Sequence, residues 1–507
     1  MRKELTALRK AMTAAGVDIY VIPTDDFHGS EYVGDYFRCR AHVSGFTGSA
    51  GTLVATQDWA GLWTDGRYFL QAAQQLEDSG IDLCKMGEAG VPTVLEWLKA
   101  HLQAGMTLGF DGRSMTAGTG TAMEQAAKAA GAQIKYELDL VGEIWENRPP
   151  MSQAPAWELD IAYAGESRKD KLEALRKTLR EKRADTFILT SLDDLCWLLN
   201  IRGDDVACCP VVLGDMVITA DSMVLYADER KFSEQLRQAL EADGVSLRPY
   251  LRLYQDIREI PAGNRVLVDP QKLNYAILKG IPVNAVLMQE SNPTVGPKSV
   301  KNPVECRNER LAHVKDGVAL TRFMKWLHDN VGKMPITEIS SAEKLEQFRG
   351  QMEHYLGPSF DPIMGYGPHG AIIHYSATAE SDVALEPHGF LLSDTGGHYL
   401  EGSTDVTRTF VLGPLTQEMR HHYTVVLRGN LDLASAVFKK GCGGLNLDLL
   451  ARAPFWEEGL DYNHGTGHGV GYLLNVHEGP QNIRYRLVNG AAQDAPMEPG
   501  MITSDEP

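Results

Sequence analysis

No stretch of this 507-residue chain approaches the roughly 18 consecutive apolar residues that a membrane-spanning helix needs. The N-terminus, MRKELTALRKAM, is charged and amphipathic with no apolar segment at its centre, so it lacks the marks of a secretory leader. Positive charge is scarce as well. The 49 Lys and Arg stand against 67 Asp and Glu, and the formal charge of -18 argues against nucleic acid, whose phosphates are met by basic faces. Cysteine is sparse and unpatterned: Cys39, Cys84, Cys196, Cys208, Cys209, Cys306 and Cys442 show no CxxC spacing, which excludes a disulfide framework or a thiolate zinc knuckle and fits reduced thiols. The expectation is a cytoplasmic protein with no membrane and no nucleic-acid partner. With 43% hydrophobic and 23% charged residues and no low-complexity tract the chain is globular, and its length calls for about two to four domains.

What is present first is a divergent internal repeat. Leu8-Arg9-Lys10 leads ten residues later to Asp18, the strand Ile19-Tyr20-Val21-Ile22 and Asp25-Asp26; Leu175-Arg176-Lys177 leads by the same step to Asp185, the strand Phe187-Ile188-Leu189 and Asp193-Asp194. Each copy then reaches a strand with a similar ending, Leu62-Trp63-Thr64-Asp65-Gly66-Arg67 and Leu225-Tyr226-Ala227-Asp228-Glu229-Arg230. Two separately cored α/β domains of one topology are expected, 1–150 and 156–300, with the two acid pairs at equivalent places. The prolines of Asn147 to Pro155 suit a linker between them. A turn-rich stretch near residue 300 opens a third region, 301–507, beginning with a helix over Val304 to Val331. Leu311, Val314 and Val318 form one apolar stripe of that helix and Leu320, Met324, Leu327 and Val331 another, so it is expected to be buried on two sides.

The third region holds the residues of chemical interest. In Gly389 to Phe410 an apolar run enters Asp394, glycines mark turns, and Asp405 opens the β-branched run Val406 to Phe410, so both acids sit at strand ends. Two carboxylates brought together in an antiparallel pair repel unless a proton or a cation separates them; the alternative is a pair of capping aspartates on a wet loop. In Asn463-His464-Gly465-Thr466-Gly467-His468-Gly469-Val470-Gly471 two histidines stand four apart, but glycine costs about 1 kcal/mol per residue in a helix, so the stretch is read as a loop whose backbone passes close to something. His374 and His477 lie in apolar settings where a satisfied core histidine is the plainer reading, and Glu506, delivered by a turn and a short strand from Pro499, reads alone as a surface acid. Taken together, two aspartates, a histidine and a glutamate make an oxygen-rich set suited to Mn²⁺ and workable for Co²⁺ or Zn²⁺.

These residues, with the motifs HGTGHGVG, NVHEGP and GMITSDEP, resemble the pita-bread metallopeptidases, and specifically the three-domain Xaa-Pro aminopeptidases; GFTGSAGTLVAT, LWTDGRYFLQA and LDDLCWLLNIRGDDV extend the resemblance to the first two domains. The fold it implies is α/β (α+β): two creatinase-like N-terminal domains followed by a pita-bread catalytic domain. By resemblance Asp394, Asp405, His468 and Glu506 are ligands of a dinuclear centre, usually manganese, His374, His464 and His477 surround the substrate, and Arg67 reaches the peptide. Catalytic roles fall to His374, His464, His477 and Glu506, with Glu506 handling the proton and His374 or His477 donating hydrogen bonds to the tetrahedral oxyanion. The partners implied are proline-containing peptides and a second copy of the chain, as a homodimer. The family has a fifth ligand, a bridging glutamate, on a strand after the DEP motif; the sequence stops at Pro507, and the expectation is a C-terminally truncated catalytic domain with impaired activity. His369, where asparagine is common, and His398 are read as peripheral. The competing readings are a prolidase-like dipeptidase or methionine aminopeptidase of the same fold, whose domain plans differ, and a non-catalytic pita-bread scaffold that binds peptides.

Overall fold

Ile19–Pro23 and Thr186–Leu189 are short, almost wholly buried apolar runs, and each becomes an interior strand of a six-stranded sheet in the computed structural model, which describes residues 1–487 and 494–507. Numbered along the chain, the strands of both sheets lie in the order 4-3-2-1-5-6. Pairings 1–2 and 2–3 are antiparallel and 3–4, 1–5 and 5–6 parallel in the first sheet. The second repeats every one of them. The matching hexapeptides also fold alike. Asp65 and Asp228 each follow the third strand, accept a hydrogen bond from the backbone N–H two residues on, and pair with Arg67 at 2.8 Å and Arg230 at 2.6 Å.

The acid pairs depart from the expected equivalence. Both follow the first strand, but Asp25 and Asp26 lie in irregular backbone, whereas Asp193 and Asp194 occupy the first turn of the helix Leu192–Leu199. Asp26 accepts from the N–H groups of His28 and Ser30, a local turn that competes with helix formation. Nor are the cores separate. Both sheets belong to one compact unit (Met1–Glu158, Arg168–Ala207 and Val211–Pro293), and Tyr275 is buried in the cluster of Trp63, Leu108 and Phe110 while Ala117 is buried with Ile188 and Val266.

The second unit comprises Leu159–Ser167, Cys208–Pro210 and Thr294–Pro507. Its helix Pro303–Asn330 starts with a capping box between Asn302 and Glu305 and with proline at the first position, where the missing N–H has no cost. The first expected stripe is not on the buried face, and of the second Leu320 and Leu327 are buried whereas Met324 is not. Leu311, Val314, Val318 and Met324 are exposed, and the buried series is Glu305, Glu309, Ala312, Asp316, Ala319, Leu320, Phe323 and Leu327. Charged side chains occupy that inward stripe because they have partners: Asp316 receives both arms of Arg349, at 2.6 and 3.0 Å, and the Tyr399 hydroxyl at 3.1 Å.

Below this helix, Ile363–Tyr366, Phe390–Thr395 and Val406–Val411 form an antiparallel sheet whose Met364, Leu391 and Phe410 pack with Phe323 and Leu345. Farther along the chain, helices Gln417–Ala434 and Gly444–Trp456 pack through Leu433, Leu447 and Ala451 against Ile483 of the strand Glu478–Ile483. That strand pairs with Gly467–Gly469.

Candidate metal centre

Strand register brings the two aspartates to one face. Asp394 lies opposite Thr407, and Asp405 is two residues before Thr407, so alternation points both carboxylates the same way. The ten residues between them close through a short hairpin, Gly397–Tyr399 with Gly402–Ser403.

His468 arrives on a strand rather than the expected loop. Gly467–Gly469 is flanked on one side by Glu478–Ile483 and on the other by the chain end, where Ser504 N–H donates to the His468 carbonyl at 2.8 Å, Glu506 N–H to the Thr466 carbonyl at 2.9 Å, and Val470 N–H to the Ile502 carbonyl at 3.0 Å. The glycines are needed because these neighbours are close: a Cβ at Gly467 would stand 2.2 Å from the Ser504 carbonyl oxygen, and one at Gly469 2.1 Å from that of Glu478. The same ladder that fixes His468 therefore delivers Glu506.

The result is a compact trio. His468 Nε2 lies 3.0 Å from Glu506 Oε1 and 3.3 Å from Asp405 Oδ2, and ligand atoms of the three residues all fall within 4.8 Å of one another. His468 Nδ1 is 2.9 Å from the Gly469 carbonyl, so the proton sits there in the neutral ring and the Nε2 lone pair faces the carboxylates. Acceptors facing acceptors repel, so the arrangement demands a proton or a cation at its centre. The side chains respond accordingly. Burial opposes charge on the His468 ring, but hydrogen bonds to Asp405 and Glu506 outweigh it and raise its pKa to about 10. Burial, reinforced by Asp405 and Glu506, pushes Asp394 up to about 7, and its Oδ1 is buried without a hydrogen-bond partner. Asp394 is outside the trio but is electrostatically part of it. A divalent cation fits this donor set: three carboxylates and one imidazole nitrogen, with an unused buried oxygen.

Of the other residues singled out from sequence, His477 stands edge-on to His468 with ring centres 4.4 Å apart, and His374 lies nearly parallel to His477 at 6.3 Å. His374 holds a left-handed backbone conformation, φ 58°, which is strained for a residue with a Cβ. His464 makes its contacts elsewhere, with the Tyr462 ring at 4.7 Å and the Gly465 carbonyl at 2.9 Å. Arg67 is in the first unit, its guanidinium held by both oxygens of Asp65. His369, read as peripheral, bonds the fully buried Glu338 at 2.9 Å, and His398 bonds Ser403 and the Cys208 carbonyl. Sequence reasoning passed over Glu338, which also accepts from the hydroxyl of Tyr375, next to His374, and from the Tyr366 N–H; a glutamate at the start of a helix carries no signal of such a role.

Comparison with known proteins places the whole chain in a family. Residues 5–139 and 147–305 match models of the creatinase/prolidase N-terminal domain, and residues 307–507 match metallopeptidase family M24. A probable Xaa-Pro aminopeptidase P of Neurospora crassa is 39% identical, the alignment covering 99% of this chain and 75% of that protein. Aminopeptidase P1 of Arabidopsis thaliana is 36% identical over 100% of this chain and 85% of that one. The crystal structure of X-prolyl aminopeptidase from Caenorhabditis elegans, described as a cytosolic enzyme with a di-nuclear active site, superposes with a TM-score of 0.94 at 34% identity, covering 100% of this chain and 85% of that chain. Fold, side-chain geometry and whole-chain similarity thus agree that the chain belongs to the Xaa-Pro aminopeptidase P family of M24 metallopeptidases, with two creatinase-like domains ahead of the catalytic one.

Proposed function

We propose that this chain is a metal-dependent aminopeptidase that releases the first residue of peptides whose second residue is proline. The observation that carries the reading is the meeting of Asp405, Glu506 and His468 Nε2 around one point, with the unpartnered Asp394 oxygen beside them. Asp394, Asp405, His468 and Glu506 are the residues that would hold two divalent ions; manganese is the finer reading, with cobalt or zinc as substitutes. Such ions supply Lewis acidity and a water acidic enough to attack a carbonyl near neutral pH.

The chain's own groups do the rest. Glu506, hydrogen-bonded by Ser504 at 2.6 Å, is placed to take a proton at its carboxylate. His374 or His477, whose rings lie nearly parallel, donates to the carbonyl oxygen before proline as its carbon becomes tetrahedral. The carboxylates attract the substrate's free ammonium, which restricts cleavage to the first residue. His464 and Arg67 join the peptide-binding set on the strength of the family resemblance. Domains at 1–150, 156–300 and 301–507, a cytoplasmic location and a homodimer complete the reading.

The test is release of free amino acid from a tripeptide with proline second, from its alanine counterpart, and from an Xaa-Pro dipeptide, with added Mn²⁺ and after chelation. Cleavage of the proline tripeptide alone, lost on chelation and restored by metal, is the expected result. Metal-independent cleavage, or turnover of the dipeptide only, would overturn it.

A further inference from the structure

Arg452 lies in the helix Gly444–Trp456 with its side chain wholly buried, yet every arm of its guanidinium is occupied. Nε donates to Asp448 Oδ2 at 2.8 Å, one turn back. Nη1 donates to Asp461 Oδ1 at 2.5 Å and to the Tyr462 carbonyl at 2.7 Å, and Nη2 to the His464 carbonyl at 2.7 Å. The Tyr462 ring lies 3.8 Å below the guanidinium carbon. The other Asp448 oxygen accepts the Thr466 hydroxyl, which also meets the Tyr462 hydroxyl at 2.6 Å. One buried ion pair on a helix thus gathers four positions of the segment 461–466, immediately before the strand that carries His468.

A buried ion pair is weak evidence for stability, since well-packed apolar residues of similar volume often do as well. What an apolar pair cannot do is bind two backbone carbonyls at fixed angles, and the rigid guanidinium fork does so where a lysine ammonium would not. His468 itself is held by a different set of bonds, the ladders to 478–483 and 502–506. We propose that Arg452, seated by Asp448, is a positioning residue of the peptidase: it sets the path of 461–464, and so the placement of His464, while the Thr466 backbone keeps its own bonds to Ile483 and Glu506 and the metal ligands do not depend on the guanidinium. This rests on the peptidase reading above and adds a division of labour within it.

The consequence is a separation of two measurements. In the Mn²⁺-loaded full chain, the double variant Asp448→Leu/Arg452→Met removes both charges together and is expected to fold. Its kcat/KM for the proline tripeptide should fall about 10- to 100-fold while Mn²⁺ affinity, read by titration of the metal's electron spin resonance, stays within about threefold of the parent. Arg452→Lys should be similarly impaired. Arg452→Ala, which leaves a guanidinium-shaped space, should recover turnover in millimolar guanidinium but not in millimolar ammonium. Parental kcat/KM in the double variant, or metal affinity and kcat/KM falling by the same factor in all variants, overturns the proposal. An inactive metal-loaded parent overturns the peptidase reading and this inference with it; an active parent beside an unaffected double variant overturns this inference alone.

Discussion

A single methyl group at residue 467 should damage the metal centre without touching any ligand. In Gly467→Ala the new Cβ would start 2.2 Å from the Ser504 carbonyl oxygen, against an ordinary carbon–oxygen contact nearer ~3.4 Å, so the neighbouring backbone must retreat by about 1 Å. The Ser504 carbonyl carbon, at 3.1 Å, moves with its oxygen, and the Ile483 side chain at 3.5 Å needs no such shift. The segment that retreats is the one whose Ser504 N–H and Glu506 N–H are bonded to 468 and 466, so the displacement is passed to the Glu506 carboxylate. Overpacking of this kind costs about 1–3 kcal/mol. A misplacement of about 1 Å at a reacting centre costs about 100-fold in rate. The assays are thermal unfolding, Mn²⁺ titration and kcat/KM on the proline tripeptide, beside Gly317→Ala, where an added Cβ meets nothing within 4 Å and helix propensity favours alanine by about 1 kcal/mol. Parental metal affinity and turnover in Gly467→Ala would refute the inference that this close approach sets the position of Glu506.

Two further predictions follow from buried charge near the site. Glu478, next to His477, accepts Lys298 at 2.7 Å and also Lys301, with all three side chains buried; Glu478→Leu removes the carboxylate from two ammonium groups and should cost about 3–5 kcal/mol in denaturant unfolding, whereas Lys298→Met/Lys301→Met/Glu478→Leu should recover most of it. Equal stability of the single and triple variants would contradict a desolvated charge cluster. Glu338→Gln places an amide where Tyr375, His369 and Tyr366 all direct donors, so one of those bonds, each worth about 1.5–3 kcal/mol to a charged acceptor, must be lost. The backbone beside Tyr375, including His374, should loosen, lowering kcat about tenfold with little change in Mn²⁺ affinity; parallel loss of metal would show that Glu338 supports the ligands instead.

The sequence carried the parts of this structure that depend on local periodicity. Alternation along Phe390–Thr395 and Val406–Val411 is enough to put Asp394 and Asp405 on one face, and the glycines around His468 rightly signalled a close backbone approach. The strand at Gly467–Gly469 was not legible, because three residues have no period of their own and one of its two neighbours, 502–506, comes from much farther along the chain. Hydrophobicity found Leu320 and Leu327 on the buried face of Pro303–Asn330 but misassigned its first half for a related reason: Glu305, Glu309 and Asp316 face inward, and the partner of Asp316, Arg349, lies far along the chain. Arg452 escaped notice because, apart from Asp448 one helical turn back, its partners are Asp461 and two backbone carbonyls that no spacing rule connects.

The most direct test of the central claim is anomalous diffraction from crystals of the full chain grown with Mn²⁺, with data collected at the manganese edge. A peak is expected within ligand distance of Asp405 Oδ2, His468 Nε2 and Glu506 Oε1, and a second against Asp394, with both removed by chelation as turnover of the proline tripeptide is lost. Turnover that persists in crystals and solution with no anomalous peak among these four side chains would contradict it.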